Sequence, residues 1–486
     1  MNQDIKNLEP KEVWSFFYDL TQIPRPSKKE DKVREFLVNF GKSNGLETIV
    51  DKAGNVIIRK PATAGMENRK GVILQGHMDM VPQKNSDKVF DFEKDPIETY
   101  IDGEWVKADG TTLGADNGMG VAAAMAVLAS KNLKHGPIEA LITTDEETGM
   151  TGAFGLEGGI LKGDILINLD SETEGEMYVG CAGGLDANVK FKYNTVPVPS
   201  GHKAYKINLT GLKGGHSGME IGLGRGNANK IMNRFLKDAF EKHGLMLSSL
   251  HGGSLRNAIP RESFAVVTIP QDKYNDFIAS ANKFEKILKN EFSATEPDIN
   301  FTISEEKMPE NVIDPKDLWK ILRAIYTCPN GVMRMSDAMP GLVESSNNLA
   351  SVDTDNGCLK IKCLMRSSVD SAKEALGHAI SSAFELAGAE VELTGAYPGW
   401  KPNMDSPILK ECREIYKDMY GTLPEIMAIH AGLECGLLGA VYPNWDMISF
   451  GPTICFPHSP DEKVNIKSVK KFYDFLIKVL ENIPQK

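Results

Sequence analysis

Three consecutive carboxylates, Asp145, Glu146 and Glu147, follow directly on the apolar run IEALITT. Neighbouring carboxylates repel one another, so their position after a buried segment calls for a positive partner. Two other apolar runs end in related chemistry: GVILQG leads into HMD at 77–79, and DILINL leads into Asp170. Imidazole nitrogen and carboxylate oxygen bind zinc, cobalt and manganese in proteins. The pattern therefore predicts a metal centre, whose positive charge would offset the repulsion.

A centre of two metal ions needs ligands on both sides and one carboxylate that bridges them. The sequence offers five candidates for such a set, which are His77, Asp116, Glu147, Asp170 and His458. His458 lies in the late segment ICFPHSPDE and would supply the second imidazole. Two divalent cations would bring roughly four positive charges to the carboxylates.

Each candidate also has an ordinary structural alternative. Asp116 could cap the alanine-rich helix that follows it. Glu146 and Glu147 could lie on a solvated loop, and Asp170 could open a turn. A histidine with no further context is most often a surface residue or a satisfied core residue.

The elements that would position these residues alternate between strands and helices. The stretch GADNGMGVAAAMAVLASK, between the first two apolar runs, has the composition of a closely packed helix. This alternation indicates an α/β fold with a mixed, mostly parallel sheet flanked by helices. Ligands of such sheets bind outside the carboxyl ends of the strands, where the candidate metal ligands lie.

Apolar spacing predicts the remaining elements along the chain. Predicted helices are 10–20, 28–40, 227–243, 273–290, 315–327, 371–387, 407–420 and 466–482. Predicted strands outside the three apolar runs are 46–50, 56–59, 205–212, 263–270, 358–368 and one that ends near residue 450.

The length of 486 residues exceeds one ordinary domain. After about residue 183 the pattern changes to α+β, and two successive segments have a related order of elements that indicates a doubled unit. We therefore predict a catalytic metal-binding domain formed by 1–183 and 399–486. Residues 184–398 would form an inserted α+β lid that contacts the substrate.

Composition argues against several classes of partner. The net charge of −11 disfavours nucleic acid and anionic membranes, because both require a basic face. The longest apolar run, 120–129, is shorter than the roughly 20 residues of a membrane helix, and no signal-peptide pattern is found.

Seven scattered cysteines without a Cys-x-x-Cys pair are typical of thiols in a reducing compartment. We expect a cytoplasmic protein.

The motifs occur in a specific order: QGHMDMVP, GADNGMG, TTDEETG, INLD, GGHSG and PHSPDE. This series resembles the dinuclear zinc amidohydrolases that include aminoacylase, bacterial glutamate carboxypeptidase and cytosolic dipeptidases. The further motifs GRGNANK, GGSLRNAIPRE and AIHAGLECG look like the Xaa-His dipeptidase branch, the aminoacyl-histidine dipeptidases or peptidase D. The resemblance covers essentially the whole chain.

The resemblance implies a role for each candidate ligand. His77 and Asp170 would bind one metal ion, Glu147 and His458 would bind the other, and Asp116 would bridge the two. The metal expected from the resemblance is zinc, with cobalt or manganese as alternatives.

The resemblance also implies roles for residues beside the ligands. Asp79 would accept a hydrogen bond from His77 and so fix the orientation of the ring. Glu146 would be the general base that takes the proton of the attacking water. A cis peptide bond that does not involve proline is expected between Asp116 and Asn117.

Five further residues would contact the substrate if the resemblance holds. His216, in GGHSG, would be an oxyanion or substrate contact, although it could also be a plain turn histidine. Asn257 and Arg366 would hold the substrate carbonyl and its free carboxylate. His430 and Glu434 depart from the glycine- and threonine-rich segment of the wider family, and they would contact the amino-terminal end, where Glu434 could pair with an ammonium group.

These inferences predict a metallo-dipeptidase that hydrolyses unblocked dipeptides, preferentially Xaa-His. One alternative is an aminoacylase, deacetylase or tripeptidase that uses the same metal chemistry. Another is a non-catalytic binding homologue, but the chain retains residues of the expected type at all seven positions, which are 77, 79, 116, 146, 147, 170 and 458. Small dipeptides are the expected partners, and a homodimer is the expected assembly.

Overall fold

A computed structural model describes residues 3–486 of the chain. Its contacts separate two compact units. The first unit comprises the described chain up to Gly180, together with Pro402–Ala428 and Leu433–Lys486. The second comprises Cys181–Lys401 and Ile429–Gly432. In sequence, the second unit therefore interrupts the first.

The helices and strands follow one another along both units. The helices are α1 (Lys11–Thr21), α2 (Asp31–Ser43), α3 (Ala115–Ala129), α4 (Glu146–Gly149), α5 (Thr151–Gly155), α6 (Ala228–His243), α7 (Tyr274–Glu291), α8 (Pro315–Thr327), α9 (Asp370–Glu385), α10 (Pro407–Tyr420), α11 (Glu434–Val441) and α12 (Ile466–Asn482). The strands are β1 (Glu47–Val50), β2 (Val56–Lys60), β3 (Val72–His77), β4 (Thr99–Asp102), β5 (Trp105–Ala108), β6 (Ile138–Thr143), β7 (Ile165–Asn168), β8 (Glu176–Cys181), β9 (Gly183–Lys192), β10 (Thr195–Pro197), β11 (His202–Thr210), β12 (Gly215–His216), β13 (Met246–Gly252), β14 (Ala258–Ile259), β15 (Ser263–Pro270), β16 (Asn300–Glu305), β17 (Asn311–Ile313), β18 (Gly331–Met335), β19 (Val343–Asp355), β20 (Cys358–Ser367), β21 (Glu390–Tyr397), β22 (Glu425–Ile429), β23 (Asp446–Ser449), β24 (Ile454–Cys455) and β25 (Lys463–Asn465).

The main sheet of the first unit has the strand order β1-β2-β6-β3-β7-β23-β8-β22. The central strands β6, β3, β7 and β23 are parallel to one another. The flanking strands β2 and β8 pair antiparallel with them. Every residue of β3, β6 and β7 is buried, as expected for parallel strands covered on both faces. The mixed α/β fold predicted from the sequence is confirmed, with its parallel part at the centre of the sheet.

Helix α3 packs against α1 and β3 with an almost entirely buried surface. Its alanines and glycines allow this close approach, because larger side chains would separate the helix from the sheet. At Gly120 the space is tightest: an added Cβ would lie 2.5 Å from the backbone oxygen of Leu169. The helix is thereby held against the segment that leads from β7 to Asp170.

The sheet of the second unit has the order β16-β11-β15-β13-β19-β20-β9-β21, with β18 paired to β19. It divides into two βαββαβ halves, the first formed by β11, α6, β13, β15, α7 and β16. The second half consists of β9, α8, β19, β20, α9 and β21. In both halves the strands lie in the order fourth, first, third, second, and β13 pairs with β19 where the halves meet. The unit is thus a repeated α+β order within one continuous sheet.

Several predicted elements have the bounds that the sequence indicates. The helices predicted at 315–327, 407–420 and 466–482 are α8, α10 and α12, and the strand predicted at 263–270 is β15. Strong amphipathic spacing and proline or side-chain caps mark these helices.

Other elements escaped the sequence analysis. Helix α11, residues 434–441, is not among the predicted helices, because it is too short and glycine-rich to show a helical period. Strand β19 was missed because its buried segment ESSNN is polar. Hydrogen bonds compensate that burial; the Asn348 side chain, for example, donates to the carbonyl groups of Arg256 and Ala258.

Helix length and amphipathicity bear on the predicted lack of a membrane segment. Helices α7 and α12 have 18 and 17 residues, and each buries one face while exposing charged residues on the other. No helix within residues 3–486 combines the length and the apolar character that crossing a membrane requires.

We expect Gly120→Ala to lower the free energy of unfolding of the metal-free protein by about 1–3 kcal/mol, because the new methyl group overpacks α3 against Leu169. The better helix propensity of alanine stabilises the variant by about 1 kcal/mol. This gain does not offset the steric overlap between the new methyl group and the rigid backbone. Denaturant unfolding measures the change. Gly158→Ala is the matched control, since its added Cβ would meet Val441 at an ordinary 3.8 Å. A Gly120→Ala protein as stable as the control would contradict the packing described for α3.

Candidate metal centre

His77 ends β3 and is buried among carboxylates. Its Nδ1 is 3.3 Å from Oδ1 of Asp79, and its Nε2 is 3.1 Å from Oδ1 of Asp116 and 3.2 Å from Oδ1 of Asp170. A neutral imidazole that donates to Asp79 through Nδ1–H has only a lone pair at Nε2, which cannot donate to two carboxylates. A divalent cation between these atoms removes the conflict, so the donor set fits a metal ion.

Asp116 presents its two oxygens to two different groups. Oδ1 faces His77, whereas Oδ2 is 3.2 Å from Nε2 of His458. That nitrogen of His458 is also 2.9 Å from Oε2 of Glu147. Two candidate ligand groups result, with ligand atoms within 4.8 Å of one another: His77, Asp116 and Asp170, and Asp116, Glu147 and His458. Asp116 is the residue that both groups contain.

Glu146 begins α4 immediately before Glu147. His77, Glu146 and Glu147 form a third group whose ligand atoms lie within 4.8 Å of one another. Burial raises the pKa of Glu146 well above its ordinary value; His77 opposes this shift, and the neighbouring carboxylates add to it. A carboxyl group with a raised pKa beside a candidate metal site is suited to accepting and releasing protons.

Asp79 connects His77 to the turn that carries the two glutamates. Its Oδ1 accepts the backbone N–H of Glu146 at 3.0 Å, and its Oδ2 accepts that of Glu147 at 3.3 Å. Oδ2 also accepts the hydroxyl of Ser27 at 2.8 Å. Sequence reasoning anticipated only the contact with His77. The structure adds that the same carboxylate binds the first N–H groups of α4, where a negative charge is favourable.

Asp145 lies directly before α4 in the left-handed region with φ 53°. Its carboxylate accepts the hydroxyl groups of Thr148 and Thr151, the latter at 2.8 Å. Its backbone N–H donates to Oε1 of Glu30 at 3.2 Å. These bonds fix the turn between β6 and the two glutamates.

The peptide bond between Asp116 and Asn117 is cis, as the resemblance predicts. Both residues have non-helical backbone angles, and the carboxylate oxygens of Asp116 face His77 and His458 and do not cap α3. The side-chain amide of Asn117 instead donates to the carbonyl of Leu169 at 2.8 Å. The alternative interpretation of Asp116 as a plain helix cap is therefore wrong.

The pKa values of the centre are strongly displaced. Burial disfavours the charge of Asp116, but hydrogen bonds with His458 and His77 outweigh it and hold the pKa of Asp116 below its ordinary value. Hydrogen bonds with Asp116 and Glu147 raise the pKa of His458 to about 11, and burial raises that of Asp170 to about 7. Without a cation the cluster therefore retains protons, which a metal ion would displace.

Glu434, at the start of α11, ends a buried row of polar side chains. Its Oε2 accepts hydrogen bonds from Gln75 at 2.6 Å and from Thr143 at 2.8 Å. The amide of Gln75 in turn accepts from Asn168, whose oxygen accepts from Ser449. Oε1 of Glu434 is buried and has no hydrogen-bond partner among residues 3–486. Burial raises the pKa of Glu434 to about 8.

The second unit contains a separate group of predicted site residues. Nδ1 of His216 accepts the backbone N–H groups of Gly218 at 3.2 Å and Met219 at 3.1 Å, so Nε2 carries the proton. Burial lowers the pKa of His216, and it lowers that of His430 to about 3; Arg366 adds to both shifts. Both imidazoles are therefore neutral at physiological pH.

Two hydroxyl groups that sequence reasoning missed contact this group. The buried Arg366 donates to the phenol oxygen of Tyr397 at 3.1 Å, and Ser346 lies 2.8 Å from Nε2 of His430. The backbone carbonyl of Asn257 accepts the N–H of Ser217 at 2.8 Å, beside His216. Nothing in a linear sequence links Tyr397 or Ser346 to the predicted residues, because strand pairing alone makes them neighbours.

The structure thus distributes the predicted site residues over both units. The first unit contains the metal-ligand candidates, the two carboxylates that support them and Glu434, namely His77, Asp79, Asp116, Glu146, Glu147, Asp170, Glu434 and His458. The second unit contains His216, Asn257, Arg366 and His430. In the first unit, sequence reasoning missed Gln75, Thr143, Arg25 and Glu462. Gln75 begins the motif QGHMDMVP, Thr143 begins TTDEETG and Glu462 ends PHSPDE, whereas Arg25 lies outside the motifs.

Comparison with known families gives one matching description. The model described as Peptidase family M20/M25/M40 matches residues 73–482. Among curated proteins, the cytosol non-specific dipeptidase of Escherichia coli (strain K12) is 48% identical over 483 residues, which cover 99% of this chain and 100% of that protein.

Solved structures agree with that match. The crystal structure of aminoacylhistidine dipeptidase from Vibrio alginolyticus superposes with a TM-score of 0.96 at 51% identity and covers 99% of this chain and 98% of that one. Aminopeptidase PepT from Bacillus cereus has a TM-score of 0.62 at 17% identity, covering 98% of this chain and 99% of that one. At that identity the likeness concerns the fold alone.

We expect Asp79→Asn to weaken binding of divalent metal ions by about 10–100-fold, the usual effect of removing a group that orients a ligand. An amide retains one acceptor, so its NH₂ group would face either the imidazole N–H or the N–H groups of α4. Titration calorimetry with Zn²⁺ on chelator-treated protein measures the change. Ser27→Ala is the control, because it removes one bond to Asp79 and leaves the contacts to His77 and α4. Equal affinities in wild type and Asp79→Asn would contradict the role given to Asp79.

Proposed function

The chain belongs to peptidase family M20/M25/M40, and on that premise we propose that it is a metal-dependent dipeptidase. Its substrates are unblocked dipeptides, preferentially of the Xaa-His type, including β-alanyl-histidine. The observation that carries this proposal is that two candidate ligand groups meet at Asp116, beside the partly buried carboxyl group of Glu146. The names of the E. coli and V. alginolyticus relatives support dipeptides as the substrate class.

The proposed metal ligands follow the two groups at Asp116. His77 and Asp170 would hold one ion, Glu147 and His458 would hold the other, and Asp116 would contribute to both. A set of nitrogen and carboxylate oxygen donors fits zinc, with cobalt and manganese as alternatives. Two divalent ions bound there would lower the pKa of a shared water and polarise the scissile carbonyl.

Glu146 is the proposed general base. Its position at the first turn of α4, with its N–H bound to Asp79, directs it independently of Glu147. It accepts the proton of the attacking water and then delivers that proton to the departing amine. Burial raises the pKa of Glu146 above its ordinary value, which suits a group that both accepts and releases a proton.

Glu434 is proposed to bind the free ammonium group of the dipeptide. Gln75 and Thr143 bind one of its oxygens, and the other oxygen is buried without a partner among the described residues. A cationic donor would satisfy that oxygen, whereas the amide of an N-acyl compound would bring no charge to offset the carboxylate. This difference favours unblocked dipeptides over N-acyl amino acids.

The group in the second unit is proposed to bind the rest of the substrate. Arg366 has the planar guanidinium that suits a free carboxylate, and the neutral His216 can donate through Nε2–H to an oxygen of the substrate. Asn257 would hold the substrate carbonyl, and His430 would contact the amino-terminal residue. These four roles derive from the resemblance and are compatible with the neutral imidazoles.

The organisation proposed for the chain is a catalytic domain of residues 1–183 and 399–486 with a lid of residues 184–398. A cytoplasmic location is proposed as well, in line with the name of the E. coli relative. The homodimer stays a prediction from the resemblance.

We expect Glu146→Gln to lower kcat by about 10²–10⁴-fold, because the amide cannot accept the proton of the attacking water. Metal content should stay unchanged, since the backbone bonds of Glu146 and the proposed ligands are kept. Steady-state kinetics on a Xaa-His dipeptide, paired with elemental analysis, separates loss of the base from loss of metal. Wild-type turnover with full metal content would refute the assignment of Glu146.

The substrate class is tested with a panel of Xaa-His dipeptides, other dipeptides, tripeptides and N-acyl amino acids. We expect the wild type to prefer unblocked dipeptides, and Glu434→Gln to lose about 2–5 kcal/mol of transition-state binding for them, as when one partner of a buried charge pair is truncated. Hydrolysis of N-acetylated dipeptides should not fall, because they lack the ammonium group. Preferential hydrolysis of N-acyl compounds by the wild type would favour the aminoacylase alternative.

A further inference from the structure

Glu462 lies in the loop after His458 and is 2% exposed. Its carboxylate accepts four consecutive backbone N–H groups. Oε2 accepts those of Leu113 at 2.7 Å and Gly114 at 2.9 Å, and Oε1 accepts those of Ala115 at 2.7 Å and Asp116 at 3.3 Å. One side chain thus binds the whole backbone segment that ends at Asp116.

The carbonyl side of the same segment is held by the buried Arg25. Its guanidinium donates to the carbonyls of Gly114, Met78 and Asp79, at 3.2 Å for Met78 and 2.9 Å for Asp79. Arg25 and Glu462 therefore bind the backbone from opposite sides, the cation on carbonyl oxygens and the anion on N–H groups. Each charge is compensated inside the fold, which a buried charge requires.

The position of Glu462 in the chain links two metal-ligand loops. Glu462 follows His458 by four residues and donates its own N–H to the carbonyl of Ser459 at 3.0 Å. His458 has a half-exposed side chain and a positive φ of 60°, so it lies in an irregular loop between β24 and β25. The carboxylate of Glu462 connects this loop directly to the segment that carries Asp116.

We propose that Glu462 is a positioning residue that assembles one of the two metal positions, the one formed by Asp116, Glu147 and His458. This inference rests on the proposed two-metal centre. Glu462 sets the distance between Asp116 and His458, which come from loops more than 300 residues apart in sequence. The other position depends on it less, because His77 ends a buried central strand and Asp170 follows another.

The test is Glu462→Gln in the full chain, stripped with a chelator and titrated with Zn²⁺. Glutamine keeps the shape but offers one acceptor oxygen, so its NH₂ group would face two backbone donors. We expect the wild type to bind two ions and the variant to bind one, with the retained ion at wild-type affinity. Titration calorimetry gives affinities, and elemental analysis after gel filtration gives the stoichiometry. Asp461→Asn, an exposed neighbour, is the matched control and should bind two ions.

A purely structural role predicts a different pattern. If Glu462 only stabilised the start of α3, Glu462→Gln would lower the unfolding midpoint of the metal-free protein and leave two ions bound at wild-type affinity. That result, or parallel weakening of both ions, overturns the proposal. Fewer than two ions on the wild type would instead refute the proposed function on which this inference rests.

Glu462→Asp tests the positioning role of Glu462 if the Glu462→Gln protein does not fold. Aspartate keeps the charge that balances Arg25 but reaches less far, so the segment 113–116 and the His458 loop must shift relative to one another. We expect one ion to bind at least about tenfold more weakly and the other to remain unchanged. Unchanged affinity for both ions in this variant overturns the proposal.

Discussion

The concentration of negative charge at the carboxyl ends of the central strands is the constraint on which the rest of the first unit depends. Asp79, Asp116, Glu146, Glu147 and Asp170 converge on His77 in buried surroundings. Carboxylates taken out of water repel one another strongly unless cations or hydrogen-bond donors compensate them. The fold supplies such compensation for some of these groups and leaves the oxygens that face His77 and His458 for a metal ion.

Backbone N–H groups provide much of the compensation. Asp79 accepts two from the first turn of α4, and Glu462 accepts four from residues 113–116, where α3 begins. Each carboxylate thereby couples loops that are distant in sequence while its charge is stabilised. Arg25 adds a buried cation between them, and burial lowers its pKa against the opposing effect of Glu462 and Asp79. Positioning and charge balance are thus achieved by the same bonds.

The buried row of polar side chains that ends at Glu434 also depends on hydrogen bonds that compensate burial. Gln75, Thr143, Asn168 and Ser449 occupy neighbouring strands of the parallel sheet and are joined by hydrogen bonds. Buried polar groups persist in a core when they are fully hydrogen-bonded and specify one arrangement. Here Glu434 is oriented so that Gln75 and Thr143 bind one of its oxygens, and the other oxygen has no partner among the described residues. The proposed preference for a free ammonium group follows from that orientation.

The sequence predicted those parts of the molecule that local pattern encodes. Amphipathic helices with strong caps, such as α8 and α12, and the ends of apolar strands were recognisable, and so was the mixed α/β class. Strand β19 was not, because its polar side chains are satisfied only by tertiary partners such as the backbone of residue 258. Helix α11 was too short to show a period.

Among the site residues, the motif order indicated which side chains carry chemistry, and the structure added how they are held. Arg25 and Glu462 escaped because their partners are backbone groups, which leave no residue-specific signal in a single sequence. The sequence also allows Asp116 to be a helix cap. Only its non-helical backbone angles and its two histidine neighbours exclude that alternative. Long-range hydrogen bonds therefore account for most of what the sequence could not provide.

The central claim is that Asp116 lies between two metal positions, and anomalous scattering from zinc-loaded crystals tests it most directly. Data collected on both sides of the zinc absorption edge locate bound zinc independently of any assumption about ligands. We predict two anomalous peaks, one in contact with His77 and Asp170 and one in contact with Glu147 and His458, with Asp116 in contact with both. A single peak, or two peaks of which only one contacts Asp116, would contradict the account.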